Sequence, residues 1–203
     1  MTTTAEIYLV RHGQSLHNKE QRIAGQLDSE LTELGFEDAR SVAQVIGRSD
    51  FEMIYCSDLL RARQTADTIV ETLGLSCPIR YSPWLRELDY GQFTEKGVEE
   101  TFRFLNYKLS PQQRYPGGES FHDLEERVGR FIRQVLAESS RMRILVTAHA
   151  GPIRLMAMLL DPGHKQEHFE RAYGNRFLGK AELNESGVLT SFKVIQNPER
   201  GAF

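Results

Sequence analysis

Two histidines carry the chemistry this sequence could do. His12 stands between Arg11 and Gly13, and His149 lies more than a hundred residues later, just ahead of Gly151 and Arg154. A phosphate monoester is an anion that repels nucleophiles, so its attacker should be neutral and its oxygens should face positive donors already in place. Neutral imidazole beside guanidinium meets that need, because the planar arginine fork matches phosphate oxygens and keeps its charge at working pH. Alone, the Arg11-His12-Gly13 tripeptide is weak evidence, since a lone histidine is more often a surface or satisfied core residue.

Other chemistries compete for the same chain. Cys56 and Arg61 stand one residue too close together for the loop of a cysteine phosphatase, and no strand ends in the paired aspartates of an aspartyl phosphatase. His164-Lys165-Gln166-Glu167-His168 matches the H-x-x-E-H pattern of some zinc peptidases, with two histidines one helical turn apart and Glu167 as a base. That segment is polar all round, follows Pro162-Gly163 and has no third ligand nearby, so a solvated surface helix is expected there instead.

The elements around the two histidines explain how they could meet. Glu6 to Val10 reads as a buried strand that ends in Arg11-His12-Gly13, and Arg143 to Thr147 is a very apolar strand that ends in Ala148-His149-Ala150-Gly151. Between them, Leu34, Ala39, Val42, Ala43 and Ile46 recur at helical spacing behind Thr32, predicting a helix over Glu33 to Arg48. A short strand at Met53 to Cys56 follows, then a helix from Leu59 to Leu73 closed by Gly74, and an extended segment from Pro78 to Ser82. Ser120 with Asp123 opens a further helix with the stripe Leu124, Val128, Phe131, Ile132, Val135 and Leu136. Pro152 suits the first turn of the helix after His149, and Phe177 to Leu183 with Val188 to Ile195 form a terminal hairpin.

This alternation predicts an α/β fold in three layers (α/β/α), with a mainly parallel central sheet covered by helices on both faces. In such a sheet both histidines lie on the same edge, where ligands bind at a switch point. Residues 90–118, with Phe93, Phe102, Phe104, Leu105 and Tyr107 ahead of a Pro and Gly cluster, read as a mostly helical, cap-like insertion over that edge. The whole of 1–203 is expected to be one domain.

At this point the sequence resembles the histidine phosphatase superfamily, also called the phosphoglycerate mutase-like family. The matching motifs run in the family's order: Arg11 to Ser15 with Asn18, Leu31 to Gly35, Ser57 to Ala66 with Arg61-Ala62, Leu85-Arg86-Glu87, Pro116 to Ser120, and His149-Ala150-Gly151. The resemblance implies His12 as nucleophile, Arg11, Arg61 and His149 as the phosphate pocket, and Glu87 as general acid and then base. It also implies Asn18, Ser15, Gly25 and Ala150 as substrate-binding positions, with no cofactor and no metal. Glu87 could instead pair with Arg86 or Arg80, Asn18 could cap a turn, and Ala150 stands where the family most often has glycine. For His12, a backbone carbonyl near Gly13 is expected to hold Nδ1 and leave Nε2 to attack.

Within the family, mutases typically carry a Thr-Gly pair after the first motif and an arginine directly after the catalytic glutamate; here those positions are Ala24-Gly25 and Leu88. The phosphatase branch, which includes α-ribazole phosphatase and broad-specificity phosphatases, is therefore the expectation, with a mutase or a non-catalytic phosphate-binding module as the alternatives.

Composition agrees with a small diffusible phosphorylated substrate. Net charge is -3, and the 25 Lys and Arg are scattered with no run of the kind that grips nucleic acid or a membrane surface. The longest apolar stretch, near Ile153 to Leu160, is broken by Arg154. Two cysteines and an N-terminus unlike a signal peptide suggest a cytoplasmic protein with reduced thiols. No surface stripe stands out to assign an oligomeric state.

Overall fold

A computed structural model describes residues 5–47, 50–106, 108–138 and 142–197. β1 (Ala5–Arg11) alternates its side chains between two cores, and this alternation divides the molecule into layers. Ile7 and Leu9 pack on one face with α5 (Phe121–Glu138) and α6 (Ala150–Leu160), alongside Ile144 and Val146 of β4 (Arg143–Ala148). Tyr8 and Val10 pack on the other with α2 (Glu33–Ile46) and Ile69 of α3 (Leu60–Leu73). Helices thus cover both faces, as the βαβ pattern required.

The sheet has six strands in the order β3-β2-β4-β1-β5-β6, where β2 is Met53–Ser57, β3 Ile79–Ser82, β5 Leu178–Leu183 and β6 Leu189–Gln196. β1, β2, β3 and β4 are mutually parallel and the final hairpin is antiparallel. β4 returns to lie between β2 and β1, so the order reverses beside β1, which is where a cleft opens in such sheets. The register sets Arg11 opposite Ala148, so the residues that follow, His12 and His149, leave the sheet side by side.

Local signals account for the helix boundaries. Thr32 caps α2 by accepting from the Gly35 N–H, an interaction worth about 1 kcal/mol. The helix stops at Ile46 ahead of Gly47; the expected end at Arg48 lies outside the described residues. Gly74, left-handed at φ 64°, ends α3. The segment after Gly13 holds a four-residue helix, α1 (Leu16–Lys19). In the insertion at 90–118 the regular structure is helical: a 3₁₀ turn at Gly91–Phe93 and α4 (Val98–Phe104), with turns for the rest. Tyr107 lies outside the described residues. The last helix, α7 (Lys165–Glu170), carries the H-x-x-E-H segment. No helix among the described residues is long and apolar enough to cross a membrane.

Candidate active site

His12 is held from both sides of its ring and through its backbone. Its N–H donates to the Ala148 carbonyl at 3.0 Å, extending the parallel pairing one residue past β1. Nδ1 lies 2.7 Å from the Gly13 carbonyl, which can only accept, so Nδ1 carries the proton and Nε2 keeps its lone pair. Arg61 Nε–H points at that lone pair from 3.2 Å. The expected tautomer is therefore present, with the free nitrogen in contact with a guanidinium. Gly13 itself is set by close packing: a Cβ there would lie 2.1 Å from the Gly35 carbonyl oxygen, so strand end and helix start meet backbone to backbone.

Arg61 projects from the first turn of α3, where its other two nitrogens donate to the carbonyls of Leu27 and Gly25, each at 2.8 Å. Arg11 donates to the Tyr173 carbonyl. His149 stands beside His12 with ring centroids 5.0 Å apart at 62°, and its Nε2 lies 2.8 Å from Ser57 Oγ. Its Nδ1 is buried without a hydrogen-bond partner. Burial, then the charges of Arg61 and Arg11, hold the His12 imidazole well below its ordinary pKa. Burial and Arg61 do the same to His149. Burial pulls Arg61 down to about 10, which still leaves it cationic at neutral pH. Two neutral imidazoles and two cations in one buried place form a site for an anion, with His149 Nδ1 left without a hydrogen-bond partner.

Glu87 sits across this group, half-buried. Its Oε1 accepts from the Leu88 N–H at 2.9 Å and its Oε2 from the Gly151 N–H at 3.4 Å. The first turn of α6 thus turns this N–H to the carboxylate. Neither arginine considered as an alternative partner is used: Arg86 forks onto Asp58 at 2.7 and 2.6 Å, and Arg80 pairs with Glu138. A cleft of about 450 Å³ is lined by Arg11, His12, Asn18, Gly25, Arg61 and Glu87, together with Arg22, Ile23 and Ala24 and the insertion residues Tyr90, Val98 and Phe102.

The remaining expected positions divide. Asn18 lines the cleft and also completes a capping box with Ser15, so the capping and site readings of it coexist. Ser15 is fully buried, its hydroxyl given to Asn18, and does not line the cleft. Ala150 lines a smaller adjoining cleft with Glu87 and Gly151; its backbone is not left-handed, so alanine fits where glycine is usual. Of the other aromatic residues of the insertion, Phe93 and Phe104 stack on each other at 4.3 Å and do not line the cleft.

Sequence reasoning missed Asn175, whose amide donates to the His12 carbonyl and to Asn18 Oδ1, each at 3.1 Å. It also missed Thr65, which accepts from the Gly13 N–H, and Ser57 beneath His149. Thr65 and Ser57 fall inside the third motif, so the motif's extent was their signal; Asn175 lies in an irregular loop with none.

The rival chemistries find no support. The Cys56 thiol is fully buried, and burial pushes its pKa far up, away from a reactive thiolate. His164 and His168 both turn to Asp161, and His168 is buried against Phe192 where a solvated face was expected. No group of three or more His, Cys, Asp or Glu able to hold a metal occurs among the described residues.

Comparison with known proteins identifies the family and fold. The profile of the histidine phosphatase superfamily (branch 1) matches residues 7–188. A Yersinia pestis protein named "Probable phosphoglycerate mutase GpmB" is 32% identical over 200 residues, covering 95% of this chain and 91% of that one. The fold is similar to an alpha-ribazole phosphatase from Shigella flexneri (TM-score 0.79, 20% identity, 97% of each chain). It is also similar to a mycobacterial glucosyl-3-phosphoglycerate phosphatase (TM-score 0.75, 24% identity, 93% of this chain and 96% of that one).

Proposed function

Because the chain belongs to the histidine phosphatase superfamily, we propose that it hydrolyses small-molecule phosphate monoesters through a phosphohistidine on His12, with Glu87 as general acid and then base. The observation that carries this reading is the state of His12: neutral, protonated on Nδ1 by the Gly13 contact, with the Nε2 lone pair directed at a guanidinium.

The reaction then runs in two displacements. Nε2 attacks phosphorus, the bond to the leaving oxygen breaks, and that oxygen takes the proton of Glu87. A water attacks the phosphohistidine, gives its proton to the Glu87 carboxylate, and the P–N bond breaks, returning the lone pair to Nε2. Arg61 already occupies that lone pair, so its Nε–H moves to a phosphate oxygen as the substrate arrives, while the Leu27 and Gly25 carbonyls keep the guanidinium in place. Arg11 and His149 supply the remaining charge and donor. No step calls for a cofactor or metal, and a small phosphorylated partner in the cytoplasm suits the charge distribution better than a nucleic acid or membrane.

A mutase is the second reading, favoured by the 32% identity to the Yersinia protein named above. Against it, Leu88 is buried and Ala24 brings no hydroxyl to the cleft. Arg22, the further cation lining the cleft, is already paired with Glu20 and Glu95. An assay of phosphate release from nitrophenyl phosphate, beside isomerisation of 3-phosphoglycerate primed with bisphosphoglycerate, separates the two. The expected result is phosphate release that His12→Ala lowers by about a thousandfold or more. Isomerisation faster than release would establish the mutase instead.

A further inference from the structure

Glu87 lies on a stretch with no ladder or helix of its own, between the 3₁₀ turns Pro83–Leu85 and Gly91–Phe93. Among the described residues its carboxylate accepts hydrogen bonds from two backbone N–H groups, so its aim depends on where the chain from residue 84 to 89 is held. Much of what holds that chain is one side chain from α5, beside Gln26, which also donates to the Glu87 carbonyl at 3.2 Å, and Asp58, which holds Arg86. Arg127 Nη1 donates to the carbonyls of Trp84 (2.9 Å) and Arg86 (2.6 Å), and Nη2 to the carbonyl of Glu87 itself (2.8 Å). Nε and Nη2 also reach the two oxygens of Glu119 at 2.9 Å, so all five N–H groups of the guanidinium are used. Glu119 in turn accepts from the Asp89 N–H at 3.0 Å and donates its own N–H to the Asp89 carbonyl at 2.8 Å. The pair is largely buried, with 14% and 21% of the two side chains exposed.

We propose that Arg127 is a positioning residue for Glu87: with Glu119 it ties the backbone on both sides of Glu87 to α5 and so fixes the carboxylate opposite His12. The proposal rests on Glu87 being the acid. It gives the Glu119 of the Pro116 to Ser120 motif a task, since that carboxylate neutralises the buried guanidinium while holding Asp89. Lysine could not replace Arg127, because an ammonium is a point donor and cannot span three carbonyls and a carboxylate.

The test exploits the leaving group. An alkoxide needs a proton as it departs and a nitrophenolate hardly does, so losing the acid slows single-turnover alcohol release from an alkyl phosphate more than nitrophenol release from nitrophenyl phosphate. Glu87→Gln is expected to raise the ratio of aryl to alkyl rates by about 100-fold or more. Arg127→Met is expected to raise it by about 100-fold, the cost of roughly an ångström of misplacement, with KM little altered. In the Glu87→Gln background Arg127→Met should raise the ratio no further, because both act through one carboxylate. Arg127→Lys and Glu119→Gln, which keep a charge or an amide in place, should raise it less and serve if the methionine variant does not fold. Folded Arg127 or Glu119 variants that slow both substrates equally, or that add to Glu87→Gln, overturn the positioning role. Equal slowing of both substrates by Glu87→Gln would instead overturn the assignment of Glu87.

Discussion

A methyl group at residue 151 would lie 2.3 Å from Glu87 Oε1 and 3.0 Å from Leu124 Cδ2. The first contact is with the end of a movable side chain, so Gly151→Ala should fold and displace the carboxylate rather than the helix. We expect alkyl phosphate turnover to fall by about 100-fold while the urea midpoint moves little; near-normal turnover would mean that Glu87 does not act from its observed place. At this scale much of the site was legible. His12, Arg61, Glu87 and His149 each sit in a motif, and the structure brings them to one cleft or its wall. Ser15 belonged to the same motif, yet its hydroxyl is used to cap α1, because a short side chain beside free N–H groups satisfies them before it reaches a distant ligand. Asn175 was illegible because a single loop donor has no periodicity; only the fold shows that it braces the His12 carbonyl.

At the scale of elements, strands and amphipathic helices were read well because burial imposes their periods. β1 and β4 are apolar on both faces since helices cover both, and α5 keeps its stripe buried from Leu124 to Val135. What fixes the chemistry is the register between β1 and β4, which seats His12 beside His149, and register depends on partners that sequence order does not name. The insertion was placed correctly over the cleft, but its attachment was not visible. The Ile23 carbonyl accepts from the Glu95 N–H and the Ile23 N–H donates to the Lys96 carbonyl, while Arg22 pairs with Glu95. Gln21 and Glu95, the non-glycine residues with positive φ among those described, flank that junction. Such backbone pairing uses no side-chain pattern, so nothing in composition announces it.

For the whole molecule, burying two neutral histidines couples the site to stability. The folded pKa values of His12 and His149 lie well below 6.5, whereas in the unfolded chain both titrate near that value. Above it neither state binds these protons; below it the unfolded state binds them first, so stability falls as pH falls. The slope approaches about 1.4 kcal/mol per pH unit for each group. Urea unfolding between pH 7.5 and 5.5 should show this loss, and His149→Gln should flatten it by about half; identical slopes in the two proteins would contradict the burial of a neutral His149. The same burial disfavours protonation of His12 in mildly acidic solution, so stability declines there while Nε2 keeps the lone pair that the proposed attack requires.

The central claim is that His12 Nε2 takes the phosphoryl group. Rapid mixing with a labelled aryl phosphate, an alkaline quench that preserves phosphohistidine, and peptide mapping test it directly. Label is expected on the peptide containing His12, attached at Nε2 and forming no more slowly than turnover. Turnover without label on His12, or label on another residue, would contradict it.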